Sequence, residues 1–195
     1  RAASGGGGIE NIHPLGEPEQ WGVAQIAYST IVQNEANVIH LDPPDRRVGG
    51  GIRNTGKVFI GRSILAENSD GRDPDDALFS PDCYSIAAGD FTSYRRNVVG
   101  VVSATCLMKD LSQVGTPNDR VGSPNSPKDP RLSNFGGYFR PDSNSPAVDY
   151  GRRNGVSSWF KCQKTDNLGN RRPVDGDGNR SRRCDVGAIE RPRAS

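Results

Sequence analysis

The chain repeats itself. Residues 6–11, Gly-Gly-Gly-Ile-Glu-Asn, return at 49–54 as Gly-Gly-Gly-Ile-Arg-Asn. The segment 23–34, Val-Ala-Gln-Ile-Ala-Tyr-Ser-Thr-Ile-Val-Gln-Asn, aligns without a gap with 57–68, Lys-Val-Phe-Ile-Gly-Arg-Ser-Ile-Leu-Ala-Glu-Asn. Two extra stretches, 14–21 and the Pro-containing 37–47, interrupt the pattern at fixed places, which marks them as loops on one side of a stacked structure. Each repeat carries two strand-like runs in which apolar and polar residues alternate. Ile26, Ile31 and Val32 in one copy, and Val58, Ile60 and Ile64 in the next, are predicted to point inward and stack on their counterparts. Asn34 and Asn68 share a register, so their side-chain amides would form a turn ladder that satisfies corner N–H and C=O groups. The expected fold is therefore all-β, a parallel β-helix or solenoid with long loops. The competing arrangement, a short antiparallel sandwich with glycine turns, suits the repeat length less well.

Only 33% of the 195 residues are hydrophobic, while Gly (24) and Pro (14) are frequent, so a compact helical bundle is a poor fit. The net charge of +2 gives no strong field toward nucleic acid or anionic lipid. The arginines at 171–172, 180–183 and 191–193 are expected to be solvated, pairing with Asp175, Asp177, Asp185 and Glu190. No apolar run approaches the roughly 20 residues that span a bilayer, so membrane insertion is not expected. The four cysteines, Cys83, Cys106, Cys162 and Cys184, lack metal-site spacing, and with only His13 and His40 to help, zinc is poorly supported. Disulfides account for them better. The local pairings Cys83 with Cys106 and Cys162 with Cys184 are favoured, because each closes a loop without apolar periodicity. An oxidising compartment follows: extracellular, cell-surface or periplasmic.

A third, degenerate coil is expected from near Ser93, containing the apolar run 97–102, Asn-Val-Val-Gly-Val-Val, typical of a strand buried on both faces. Residues 70–82 and 112–130 are polar and Pro-broken, hence loops. Short strands are predicted to return at 131–139 and 147–150, with a closing strand at 185–190. One domain results, with β-helix coils over 1–110 and a loop-rich closing segment over 111–195. So few coils suggest the C-terminal portion of a longer β-helix, whose first coil is covered by more of its own chain or by another protein subunit.

The last quarter carries the most specific motifs: Ser-Pro-Ala-Val-Asp-Tyr-Gly at 145–151, Asp-Asn-Leu-Gly-Asn-Arg-Arg-Pro-Val-Asp-Gly-Asp-Gly-Asn at 166–179, and Cys-Asp-Val-Gly-Ala-Ile-Glu at 184–190. With the Pro-Asp-Cys at 81–83 and Asn-Val-Val-Gly at 97–100, they resemble bacterial extracellular right-handed parallel β-helix proteins that end in a "choice-of-anchor Q" region. Tyr150 departs from the pattern, standing where a small residue is expected. The resemblance implies a right-handed parallel β-helix with a C-terminal cap that closes its end, here stapled by Cys162 and Cys184.

Several residues are candidates for chemistry. Asp175, Asp177, Asn179 and Asp185, with Asp166 and Asn167 nearby, offer oxygens on a glycine-bent loop that can wrap a hard cation, calcium above all. A metal-free network of Asx turns balanced by arginines is the favoured reading, with calcium as the alternative. Asp70, Asp73, Asp75, Asp76 and Asp82 lie in a loop, and Tyr28, Arg62, Glu35 and Glu67 sit on or beside the stacked runs. None recurs with the spacing that lyase or hydrolase chemistry needs, so no catalytic residue is assigned. His13 and His40 sit in no nucleophile motif. Trp21, Tyr28, Tyr84, Tyr94, Tyr138, Phe139 and Trp159 would be sugar-stacking platforms only if they shared one face. The expected function is a non-catalytic extracellular scaffold or adhesion-type subunit docking on a partner protein or larger assembly. The alternative is a carbohydrate-active enzyme, a lyase or hydrolase of an acidic polysaccharide.

Overall fold

The computed structural model describes residues 8–11, 22–36, 49–75, 79–85, 90–106, 108–110, 118–151 and 160–193. His13, Trp21, His40, Asp76 and Trp159 lie outside the described residues. Among those described, the chain is all-β with no α-helix. The first unit supplies β1 (Ile9–Asn11), β2 (Val23–Ala27) and β3 (Thr30–Val32). The second supplies β4 (Ile52–Asn54), β5 (Lys57–Gly61) and β6 (Ile64–Ala66), and the third β7 (Cys83–Ser85), β8 (Asp90–Ser93) and β9 (Val98–Val99). Then come β10 (Met108–Asp110), β11 (Arg120–Val121), β12 (Leu132–Asn134) and β13 (Phe139–Pro141).

Three parallel sheets have the orders β1-β4-β7, β2-β5-β8-β10 and β3-β6-β9-β11. Each strand thus pairs with the strand holding the same place in the next unit, an arrangement compatible with a β-helix. The register runs from Val23 opposite Lys57 to Val32 opposite Ala66, reproducing the gap-free alignment of the repeat. Several boundaries differ from expectation. There are three strands per unit instead of two, because the Ile-x-Asn element of the repeat is itself a strand. The third unit begins at Cys83, ahead of Ser93, and β11 continues the parallel pairing past residue 110. Residues 131–139 open an antiparallel hairpin, β12 with β13, whereas 147–150 and 185–190 are turns and bends.

The inner faces of the sheets stack by type. Ala24, Val58, Phe91 and Met108 form one column, and Ile31 and Leu65 another. Val32 and Ile64 are predicted inside by the repeat, but they lie on the opposite face of their sheet, with Ala66 and Val98. That face is covered by Ala147 and Val186 of the C-terminal segment. The tail therefore reaches along the flank of the stack as far as the first unit, where the N–H of Ala188 donates to Thr30 Oγ1 at 3.0 Å. An end cap was the expectation; a lateral cover is the finding. The physical cause is the third sheet itself, whose β3, β6 and β9 are apolar on both faces and need burial twice. Gly187 permits the close approach: its φ is +98°, and a Cβ there would meet Thr30 Oγ1 at 2.7 Å and Ile64 Cδ1 at 2.8 Å.

The corners between sheets leave N–H groups that no strand satisfies, and stacked side chains meet them. After β3 and β6, Asn34 N and Nδ2 donate to Asn68 Oδ1 at 3.0 and 2.9 Å, and Asn68 N and Nδ2 donate to Asp82 Oδ1 at 3.2 and 2.8 Å. Between the second and third sheets, Ser29 N donates to Ser63 Oγ, Ser63 N to Asn97 Oδ1 and Asn97 N to Asp119 Oδ1. A third column joins Asn11 Nδ2 to Asn54 Oδ1 at 2.8 Å. The residues beside these columns are left-handed in register: Tyr28 at φ +46°, Arg62 at +54° and Arg96 at +60°, then Gln33 and Glu67 at +56°. A left-handed non-glycine costs about 1–2 kcal/mol, so the columns must hold each corner against it. Cys83 and Cys106 are bonded, as are Cys162 and Cys184, with Cα separations of 5.4 and 6.1 Å.

Besides its bond to Asp82, the buried Asn68 Nδ2 donates to Ile31 O and Ala66 O, and Asn68 Oδ1 accepts two bonds from Asn34. Asn68→Ala is expected to cost about 3 kcal/mol in urea-unfolding free energy, and Asn34→Ala about 1 kcal/mol. Equal, sub-kilocalorie losses would contradict the ladder.

Candidate functional site

The tail is poor in apolar residues, and buried carboxylates give it shape. Asp166 Oδ1 accepts the N–H groups of Leu168 and Asn170 at 2.9 and 2.8 Å, and its Oδ2 accepts the Glu190 N–H at 3.0 Å. Glu190 Oε1 takes the Val174 N–H at 2.8 Å and Oε2 the Asp185 N–H at 3.1 Å. Asp185 Oδ1 takes the Asp149 N–H at 2.7 Å and Oδ2 the Arg191 N–H at 2.6 Å. Asp149, left-handed at φ +51°, accepts from Gly176 and Asp177 on Oδ2 and from Arg183 on Oδ1, at 3.0 to 3.1 Å. Each acid thereby ties one loop to another. Arg172 is the buried counterion: its Nε lies 3.0 Å from Glu190 Oε2, and its Nη2 donates to Gly187 O at 2.8 Å. This arginine is 5% exposed, against the expectation of a solvated run, because the carboxylate it neutralises is equally buried.

Burial raises most of these carboxyls. Desolvation pushes Glu190 up to about 7, reinforced by the Asp185 charge, and pushes Asp185 up to about 6 despite the N–H donors of Asp149 and Arg191. Asp166 goes the other way. Burial pushes it up as well, but the donors from Asn170, Glu190 and Leu168 outweigh that and hold it below the usual range.

The loop acids of the second unit have the same structural role. Asp70 accepts from Arg72 N on Oδ1 and Ser80 N on Oδ2, at 3.2 and 2.8 Å. Asp82 Oδ2 accepts the Val101 N–H at 2.6 Å while Oδ1 serves Asn68, and burial pushes its carboxyl up to about 6. Asp73 Oδ1 accepts the Asp75 N–H in a local turn.

One group is different. Carboxylate oxygens of Asp149, Asp175 and Asp177 lie within 4.8 Å of one another. Asp175 Oδ2 accepts the Arg180 N–H at 2.9 Å, but Oδ1 is buried with no hydrogen-bond partner. Of the seven buried carboxylate residues among those described, Asp70, Asp82, Asp149, Asp166, Asp185 and Glu190 have both oxygens engaged by backbone N–H, and Asp175 is the exception. Of the expected cation ligands, the structure brings together Asp175 and Asp177. Asn179 orients Asp177, its N and Nδ2 donating to Asp177 Oδ1 and Oδ2 at 3.0 and 2.7 Å. Asp185 is not in the group, since both its oxygens hold backbone. Asp149 completes the group, and the only sign of it among the residues alone is an acid inside the tail motif at 145–151.

Among the described residues the aromatics do not share one face. Tyr28 and Tyr84 are buried, Tyr94 stacks on Phe160 at 4.3 Å with Phe59 edge-on at 6.0 Å, and Tyr138 is exposed near the β12–β13 turn. No protein-family model matches the chain, and no curated protein or solved structure matches it either.

Asp82 and Glu190 set a pH dependence with a definite sign. Their carboxyls titrate near 6 and 7 in the folded chain, against ordinary values of 3.8 and 4.5. Between those limits the folded state binds more protons than the unfolded chain, so their stabilising contribution is complete below the ordinary values and is lost as pH rises through about 6 to 7. The melting temperature is expected to be several degrees higher at pH 5 than at pH 8. A rise across that interval would contradict the burial of these two groups.

Proposed function

We propose that this chain is a right-handed parallel β-helix of the choice-of-anchor Q kind, serving as a non-catalytic extracellular scaffold or adhesion-type subunit that docks on a partner protein or larger assembly. The three parallel sheets, with strand order advancing by one unit at a time, support the fold. Two disulfides support an oxidising compartment, and no described helix is long and apolar enough to cross a membrane.

The observation that carries the functional half is what the acids do. An acid that acts on a glycoside needs an oxygen turned to substrate. Six of the seven buried carboxylates spend both oxygens on backbone N–H, which is the work of a framework. Two surface features suit docking. Among the described residues β1, β2 and β3 end their sheets, so their outer edges offer backbone groups for strand addition. The β12–β13 hairpin presents Phe135 and Tyr138 at 41% and 43% exposure, with the Arg140 guanidinium 3.9 Å over the Phe135 ring.

Incubation with a panel of acidic polysaccharides, read by reducing ends and by the ultraviolet absorbance of unsaturated products, is expected to show no turnover. Turnover that disappears on Asp175→Asn or Asp177→Asn would overturn the scaffold assignment in favour of a lyase or hydrolase.

A further inference from the structure

The geometry points to a site for a hard divalent cation of calcium's size, built from Asp149, Asp175 and Asp177, that clamps the 175–180 loop to the 145–151 turn. It goes beyond the scaffold reading and does not depend on it. The three carboxylates come from two segments far apart in sequence, and each offers one oxygen within 4.8 Å of the others. Calcium takes oxygens at about 2.3–2.6 Å, so ligands on opposite sides of the ion stand about 5 Å apart. The group has the span of such a shell.

Proximity of acids alone would not make a site. The second observation is Asp175, a residue 5% exposed whose Oδ1 is buried and has no hydrogen-bond partner. Among the described residues, both oxygens of every other buried carboxylate receive a backbone N–H, and an unpaired buried charge is costly. A cation supplies the missing partner.

The backbone is arranged to permit it. Gly176, where a Cβ would meet Val148 Cγ1 at 3.0 Å, lets the loop approach closely enough for its own N–H and that of Asp177 to reach Asp149 Oδ2. Asp177 is exposed, so water can fill the remaining coordination positions as it does in many calcium sites. Asp149 Oδ1 and both Asp177 oxygens accept one N–H each and keep a further lone pair for a metal. Asp185 is not part of the donor set, since it holds the Asp149 N–H in place, and Asn179 orients Asp177.

The test is calorimetric titration of calcium chloride into the chelator-treated full chain, together with thermal melts. One ion per chain is expected, with a dissociation constant on the order of 10⁻⁴–10⁻³ M, the range of extracellular modules with few acidic ligands. Asp175→Asn and Asp177→Asn should each weaken binding about tenfold or more. Asn at 175 still accepts the Arg180 N–H and removes the unpaired charge. In chelator, therefore, Asp175→Asn should melt no lower than the parent, and the parent should gain on it only as calcium is added. Asp177 is exposed and its variant keeps the question open should position 175 prove intolerant. Absence of binding heat and of any melting shift up to about 10 mM calcium, or unchanged affinity in both variants, would overturn the site.

Discussion

Backbone N–H groups at the corners of a stacked chain must find acceptors, and here the acceptors are side-chain oxygens handed from one repeat to the next. A strand ladder satisfies its own donors, but in the turns between sheets the amides of Ser29, Asn34, Ser63, Asn68 and Asn97 fall outside that ladder and take side-chain oxygens. The column Ser29–Ser63–Asn97–Asp119 and the column Asn34–Asn68–Asp82 solve the same problem with different residues. Each also pins corner residues in the left-handed conformation that reverses the chain. The columns thereby reinforce the register that the strand ladders set for the apolar stacks of Val58 and Phe91 and of Ile31 and Leu65.

The same economy explains the tail. A segment with so few apolar residues cannot bury enough surface to order itself, so its loops are assembled around Asp149, Asp166, Asp185 and Glu190 as N–H acceptors, with Arg172 as the internal counterion. Its few apolar side chains, Ala147 and Val186, are spent where they matter, on the outer face of β3, β6 and β9. The Cys162–Cys184 link joins the far part of the tail to the turn that carries Val186, and by chain-entropy reasoning a loop of 22 residues contributes about 3 kcal/mol.

What could be read from residues followed from repetition. The aligned copies gave the pairing register of β2 with β5 and β3 with β6, and the local cysteine pairs were favoured because of the loops they close. Asn34 and Asn68 were visible because the residue type is the same in both copies. The Ser-Ser-Asn-Asp column was hidden, since its residue changes from coil to coil while the hydrogen bond stays. Asp82 and Asp149 were missed for a related reason: each reaches its partners across the fold, and nothing in its local sequence says so. Alternation shows which side chains share a face but not which face is covered, so Val32 and Ile64 are placed only by the covered outer face of the third sheet, which explains why both faces are apolar.

The central claim is that the tail is a structural layer of the stack, laid on its flank. Native-state hydrogen exchange tests it directly at two amides, Val186, which donates to Ala147 O at 2.9 Å, and Gly187, which donates to Arg62 O at 2.9 Å. Both should be protected to nearly the level of the Ile64 amide in β6, which donates to Ser29 O at 2.8 Å. Exchange of the two tail amides at the rates of an open loop, with Ile64 still protected, would contradict it.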